Sequence, residues 1–450
     1  MGSGSAPWAG PTNVARIMRP SIRLPLHRGT TAHIASIYPF SVQAPFGSHG
    51  PYIGPDLLAG GAEFCWDPFD AYQANIITNP NAWVLGEPGN GKSALIKCLL
   101  WRMTGVYGKG RWIAIVDPKG EYRLLAEELG LNIIRLSPGG TVRINPLAPG
   151  PAAAHESEQR RVLRQGEMLA ALVSTVLQRP LEQVEDAALF AAVEQLVRSP
   201  TATEPTLPDV ATLIGTPTEH MLERLHRTDH DASDDLAVVR YALDKLLSRS
   251  LRGMFDGPST VPLVWDGPGL LLDLSAVPLE SEALPLVMVA AAGWLRELMA
   301  CPGPQRVQVI DEAWALMASP ATTAYLQSCF KLGRTYGAAN ICITHRASDL
   351  AAQADDGAAA AKIAVGLLAD SATKVILRQA PDQLPLATAA LGLTKTECQI
   401  VGQLARGRAL WKVGGRTALV HHLMSPTEET LCDTDQRMKA SNTTSQSTKP

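Results

Sequence analysis

Ala82-Trp83-Val84-Leu85-Gly86-Glu87-Pro88-Gly89-Asn90-Gly91-Lys92-Ser93-Ala94 joins a short apolar run to a glycine-rich loop. Gly86 to Ser93 fits the spacing G-x-x-x-x-G-K-S, and residues 94–103 continue as a helix-like run. In a strand–loop–helix of this kind the glycines let backbone N–H groups converge on phosphate oxygens. The helix N-terminus adds a favourable dipole. The loop from Gly86 through Ala94 is therefore the expected nucleotide-binding segment. Lys92 is expected to reach the β and γ phosphates, and the Ser93 hydroxyl to hold Mg²⁺.

A second motif lies far along the chain. Val307-Gln308-Val309-Ile310-Asp311-Glu312-Ala313-Trp314 is an apolar strand ending in two carboxylates. At the C-terminal edge of a strand beside the phosphate loop, Asp311 is expected to support Mg²⁺ through water and Glu312 to orient and polarise the attacking water. A surface turn after a strand is the plainer alternative. A second acid directly after the first favours hydrolysis over nucleotide binding alone. No N-K-x-D guanine-reading motif occurs, so ATP is preferred to GTP.

Outward from these motifs, residues 62–66 read as a short strand and Arg-Trp-Ile-Ala-Ile-Val-Asp at 111–117 as a buried one. A helix over 122–129 and a strand over 132–136 follow. Strands alternating with helices imply a parallel sheet. The texture changes at Pro149-Gly150-Pro151. Val162, Leu163, Leu169, Leu172, Val173, Val176 and Leu177 recur at helical spacing within 156–178. A second helix is expected over 183–197, Thr206 with Asp209 opens a third as a capping box, and a fourth spans 236–247. Strands resume at 269–274, 306–310, 340–344 and 373–377, and 408–412 with 417–423 form a hairpin around Gly414-Gly415. The expected division is a flexible leader over 1–59, a first part of the core over 60–150, an all-helical insertion over 151–258, a second part of the core over 259–425, and a flexible tail over 426–450.

Composition narrows the classes. With 450 residues, 46% of them hydrophobic and 18% charged, the chain can bury a sizeable core. A net charge of −3 leaves any nucleic-acid contact to a local patch, and aromatics at 5% argue against a base-stacking platform. Arg16, Arg19, Arg23, His27 and Arg28 form a loose basic cluster in the leader. It reads as a solvated segment, with an arm for nucleic acid or acidic lipid as the alternative. The 7 cysteines show no C-x-x-C pair, which indicates neither a disulfide framework nor a zinc site and suits a reducing cytoplasm. Residues 283–295 are too short to span a bilayer and read as a buried helix. His421-His422 reads as a surface hairpin, since neighbouring strand side chains point to opposite faces.

Three further segments carry a resemblance: Asp117-Pro118-Lys119-Gly120-Glu121-Tyr122, Lys331-Leu332-Gly333-Arg334-Thr335-Tyr336-Gly337 and Ile341-Cys342-Ile343-Thr344-His345-Arg346. Together with the phosphate loop and Asp311-Glu312-Ala313-Trp314, this ordered set resembles the HerA–FtsK superfamily. More narrowly it is similar to the TraC/TrbE-like cytoplasmic ATPases of conjugative type IV secretion, over about residues 60–425. The resemblance implies an α/β RecA-like P-loop NTPase core, with a mainly parallel sheet and an all-α insertion, working as a homo-hexamer with ATP and Mg²⁺. It implies that Arg334 is an arginine finger supplied in trans; the alternative is a solvated arginine at a helix end. It places His345 where the family usually has a sensor glutamine. Asp117 and Lys119 either assist Mg²⁺ and water or form an ion pair that shapes the turn. Family members usually carry a substantial domain before the phosphate loop, and here 85 residues precede Gly86.

The expected function is an ATP-hydrolysing motor that energises conjugative or type IV-like secretion. Its partners would be secretion-channel or coupling proteins, and its place the cytoplasm or the inner face of the cell membrane. The alternative is a hexameric DNA-translocating pump of coupling-protein or HerA/FtsK type, with DNA as partner. A scaffold that binds nucleotide only to assemble is the reading of a different class.

Overall fold

In β3 (Ala82–Leu85), Trp83 and Leu85 enter one apolar cluster while Ala82 and Val84 enter another. β4 (Arg111–Asp117) repeats the alternation, with Trp112, Ala114 and Val116 on the first face and Ile113 and Ile115 on the second. Side chains alternate across a strand, so a sheet buried on both faces needs apolar residues at every position, as parallel sheets do. The computed structural model describes residues 44–148, 157–199, 204–248, 251–261, 267–299, 303–317, 320–345 and 366–433.

The elements in chain order begin with β1 (Tyr52–Asp56), β2 (Ala62–Cys65), α1 (Pro68–Gln73), β3, α2 (Lys92–Tyr107), β4, α3 (Arg123–Leu129) and β5 (Asn132–Arg135). Six helices follow: α4 (Glu158–Leu177), α5 (Gln183–Arg198), α6 (Leu207–Gly215), α7 (Glu219–Leu225), α8 (Asp229–Asp235) and α9 (Ala237–Leu247). Then come β6 (Gly269–Asp273), α10 (Ala283–Met299), β7 (Gln305–Ile310), α11 (Pro320–Tyr336), β8 (Ala338–Thr344) and β9 (Thr373–Ile376). The described chain closes with α12 (Leu384–Leu391), α13 (Lys395–Gly402), β10 (Arg408–Val413), β11 (Arg416–His421) and α14 (Pro426–Cys432).

The strands form an 11-stranded sheet in the order β2-β1-β11-β10-β9-β3-β8-β7-β4-β6-β5. From β9 to β5 every pairing is parallel; from β10 to β2 every pairing is antiparallel. The chain leaves β3 and returns as β4 three places away, leaving room for β7 and β8. Such a reversal of strand order opens a crevice at the carboxyl ends of the strands. Leu85 pairs with Thr344 and Ile376, and Val116 with Ile310, so the ends of β3, β4, β7 and β8 lie along one edge.

The helices between Glu158 and Leu247 cover one sheet face. Leu169, Leu172, Leu189 and Val193 share a continuous cluster with Trp83 and Leu85, and α4 packs on α10 and α11. Thr206 opens α6 with the expected capping box to Asp209. The short helices α7 and α8 were not legible from periodicity, because seven residues hold too little of a 3.6-residue repeat, although Thr218 and Thr228 cap them. Residues 283–295 belong to α10 and, apart from the half-buried Pro285, are buried. Among the described residues no helix is long and apolar enough to cross a membrane.

Two expectations about the ends are corrected. The leader was expected to run to residue 59, yet Tyr52–Asp56 is a strand between β2 and β11. Pro55 hid it, since proline is rare inside a sheet. Gly54 fits because a Cβ there would lie 1.9 Å from the carbonyl oxygen of His421. The tail was expected from residue 426, yet Pro426–Cys432 is a helix with a Ser425–Glu428 capping box. Residues 1–43, with the basic cluster, and 434–450 lie outside the described residues.

Arg102 on α2 ties these ends together. It donates to both Glu428 carboxylate oxygens, at 2.5 and 2.7 Å, and to the carbonyls of Tyr52 and Leu423. A bidentate pair of this kind also fixes geometry. Arg102→Ala strands the buried Glu428 carboxylate and is expected to cost about 3 kcal/mol, read as a lower midpoint in thermal unfolding. An unchanged midpoint would show that α14 is held by apolar contacts alone.

Candidate active site

The loop after β3 is shaped by two glycines at positive φ, Gly89 (φ 79°) and Gly91 (φ 97°), which other L-residues adopt only at a cost. Gly86 has no room for a side chain, since a Cβ there would lie 2.6 Å from that of Leu377. The Glu87 N–H donates to the carbonyl of Arg378, which anchors the loop to the end of β9. Gly91 then opens α2, so Lys92 and Ser93 sit in its first turn.

Lys92 is buried, 6% exposed. Its ammonium donates to the carbonyl oxygens of Gly86 (2.6 Å) and Glu87 (3.1 Å) and to Nδ1 of His345 (3.0 Å). Burial pulls its pKa down to about 8, against the raising effect of Asp311 and Glu312. An ammonium only donates, so Nδ1 of His345 accepts and Nε2 carries the proton. Nε2 lies 2.8 Å from Oε1 of Glu312, the acceptor for that proton.

Asp311 and Glu312 follow β7 directly, and both are buried. Glu312 has φ 53°, a left-handed conformation that costs a non-glycine residue roughly 1–2 kcal/mol. It turns the chain at once into the 3₁₀ turn Ala313–Met317. One Glu312 oxygen is paired with Lys119 and His345, and the other accepts from the indole N–H of Trp314. Burial raises the Glu312 pKa, but the hydrogen bonds from His345 and Lys119 outweigh it and hold the group at about 2.

Asp311 is the opposite case. Its Oδ1 accepts the Glu312 N–H, while its buried Oδ2 has no hydrogen-bond partner among the described residues. Burial first, then the charges of Glu312, Asp117 and Glu121, push its pKa up to about 8, with Lys119 opposing. A buried carboxylate oxygen without a donor suits a hard divalent cation bound through oxygen ligands. Asp311 together with the Ser93 hydroxyl is a donor set that fits Mg²⁺.

The two readings of Asp117 and Lys119 separate here. Asp117 is spent on the backbone, where its Oδ1 accepts from the N–H groups of Lys119 and Gly120 and its Oδ2 from that of Tyr122. It shapes the turn into α3. Lys119 reaches into the site and pairs with Glu312 rather than with Asp117. Neither that partner nor the Trp314 bond was legible in the sequence; the only signal was the nearness of Trp314 to Glu312 along the chain.

Arg334 is exposed in the last turn of α11. α11 leads into the start of β8, whereas the phosphate loop and His345 follow the far ends of β3 and β8. The seven residues of β8 put roughly 20 Å between the two edges. Arg334 therefore does not join the site of its own chain.

Residues 61–409 match the TraG P-loop domain family. No curated protein matches the chain. Among solved structures, VirB4 of Thermoanaerobacter pseudethanolicus is similar at 22% identity and a TM-score of 0.70, over 86% of this chain and 99% of that one. The plasmid coupling protein TrwB in complex with ADP and Mg²⁺ is similar at 16% identity and a TM-score of 0.53, over 77% of this chain and 86% of that one.

Proposed function

The chain belongs to the TraG P-loop domain family and is a P-loop nucleoside triphosphatase, and on that footing we propose that it is an ATP-hydrolysing motor energising conjugative or type IV-like secretion. The observation that carries the chemistry is the convergence of Lys119, His345 and Trp314 on Glu312, with Lys92 bound to the other nitrogen of the His345 ring, next to the unpartnered oxygen of Asp311. In this reading Lys92 and the loop N–H groups bind the phosphates, and Ser93 and Asp311 hold Mg²⁺, which neutralises charge on the transferred group. Glu312 takes a proton from the attacking water. The fold likeness to VirB4, spanning nearly all of that chain, supports the secretion reading. We place the motor in the cytoplasm at the inner face of the membrane, as a homo-hexamer acting on channel or coupling proteins.

The coupling-protein reading, in which DNA itself is pumped, has the fold likeness to TrwB in its favour. Phosphate release measured with and without double-stranded DNA at low salt separates the two, because a DNA motor is stimulated and loses that stimulation as salt rises. A secretion motor is expected to show ATP turnover indifferent to DNA. No turnover under any condition, with nucleotide bound, would move the chain to the scaffold class.

A trans role for Arg334 predicts complementation. Arg334→Ala and Lys92→Ala proteins are each expected to be inactive alone, and their mixture to regain part of the turnover. In mixed rings an intact loop can sit beside an intact finger, worth about 10³-fold or more. Mixtures as inactive as the separate variants would remove Arg334 from the site.

A further inference from the structure

In the empty site Oε1 of Glu312 is filled, since Lys119 and His345 take both of its acceptor positions. Three donors in all converge on Glu312, from Lys119, His345 and Trp314, against roughly four acceptor positions on a carboxylate. Its side chain is 3% exposed. Two of the donors belong to rings fixed close to the sheet, His345 directly after β8 and Trp314 in the 3₁₀ turn after β7. The third is a lysine on a flexible four-carbon stem whose side chain is 26% exposed. The loop beneath it is held by the Asp117 carboxylate through backbone bonds at Lys119, Gly120 and Tyr122. The ammonium can thus move while its anchor stays.

Lys119 also stands close to the place where phosphate is expected. Its Nζ lies 3.2 Å from Nε2 of His345, and Nζ of Lys92 lies 3.0 Å from Nδ1 of the same ring. The two ammonium groups are therefore separated by a single imidazole, under about 9 Å. A terminal phosphate gripped by Lys92 comes within the reach of Lys119, and it offers more negative charge than one carboxylate. A diphosphate, one phosphate shorter, offers no such pull.

We propose that Lys119 is a positioning residue that clamps Glu312 at rest and releases it when the terminal phosphate of a nucleoside triphosphate draws the ammonium away. Release leaves Oε1 with His345 alone and opens one acceptor position for a water. The base is then freed only when a β–γ phosphoanhydride bond is present to be cut. His345 accepts from Lys92 at Nδ1 and donates to Glu312 from Nε2, so phosphate binding at Lys92 and release at Glu312 share one hydrogen-bonded chain. This inference rests on the nucleotide-hydrolysing reading above.

Trp314 reports the clamp directly, since its indole N–H is bound to the carboxylate in question. The full-length protein is labelled with 5-fluorotryptophan, and the Trp314 resonance is assigned by its loss in Trp314→Phe. The imido analogue of ATP with Mg²⁺ is expected to shift that resonance, and ADP with Mg²⁺ to leave it in place. Lys119→Met is expected to show the shifted position without nucleotide, and Lys119→Arg to keep the resting one. The preference for the ATP analogue over ADP should fall about tenfold in Lys119→Met, the worth of one charge-assisted hydrogen bond. A Trp314 resonance that is the same in Lys119→Met and wild type, or that responds equally to both nucleotides, overturns the clamp. If the wild-type protein binds no nucleotide, it is the ATPase reading that fails, and the nucleotide-free comparison of wild type with Lys119→Met still decides the clamp.

Discussion

Glu312→Gln is expected to lower turnover by about 10²–10⁴-fold while leaving nucleotide binding intact. Glutamine keeps the length and the Oε1 acceptor, so the bonds from Lys119 and His345 can persist. It gives up the capacity to take a proton. The left-handed backbone at this position constrains the two side chains alike. The parts that grip phosphate are untouched, because Lys92 and the Gly86–Ser93 loop belong to other elements. Phosphate release measured beside the binding of a fluorescent ATP analogue separates the two effects. Undiminished release by Glu312→Gln would falsify its role as the group that polarises water. Loss of binding together with turnover would mean that Glu312 holds the site open rather than acting on water.

The parts of this site differed in how far the sequence exposed them. The phosphate loop was legible because its chemistry is local. A strand, two glycines forced to positive φ and a lysine at the helix start all lie within thirteen residues. Asp311 and Glu312 were legible as the end of an apolar strand, but their contrast was not. Both are buried carboxyls on adjacent residues, and what divides them is the donor set that two distant segments and the neighbouring Trp314 bring. Lys119 comes from the loop after β4, His345 from the end of β8, and neither reaches Asp311 Oδ2. Sheet order decides this, since β7 and β8 are inserted between β3 and β4, and strand order is a non-local property. Arg334 shows the same limit. Its motif position named it, but only the register of β8 puts it at the edge away from its own phosphate loop. At the ends of the chain composition misled. Tyr52–Asp56 carries a glycine and a proline yet is held between two strands, and Pro426–Cys432 looks like tail yet is fixed by Arg102.

Asp311→Asn is expected to pull stability and activity in opposite directions. In the folded chain Asp311 titrates at about 8 because burial disfavours its charge, whereas an unfolded aspartate titrates near 3.9. Between these values the native state holds a proton that the unfolded state has lost, so stability falls as pH rises through that window and stays low above it. At full ionisation the cost is on the order of a few kcal/mol. Asparagine keeps an acceptor for the Glu312 N–H and puts a neutral amide where the unpartnered oxygen lay, at a smaller cost. Without nucleotide or metal, Asp311→Asn should therefore melt higher than wild type at pH 9, and the gain should shrink towards pH 5, where the native aspartate is protonated. The order reverses once Mg²⁺ and ATP are supplied. A cation beside Asp311 favours the ionised form, and ligand bound only by the folded state raises its stability. Wild type should then gain more in melting temperature than the variant, which should also lose Mg²⁺-dependent turnover. A variant that melts below wild type at pH 9 without ligand would show that the orphaned oxygen is partnered by ordered water. An equal gain for both proteins on adding Mg²⁺ and ATP would take Asp311 out of the metal site. A stability cost carried in the empty site and relieved by ligand is the pattern expected where function, rather than folding, selects the residue.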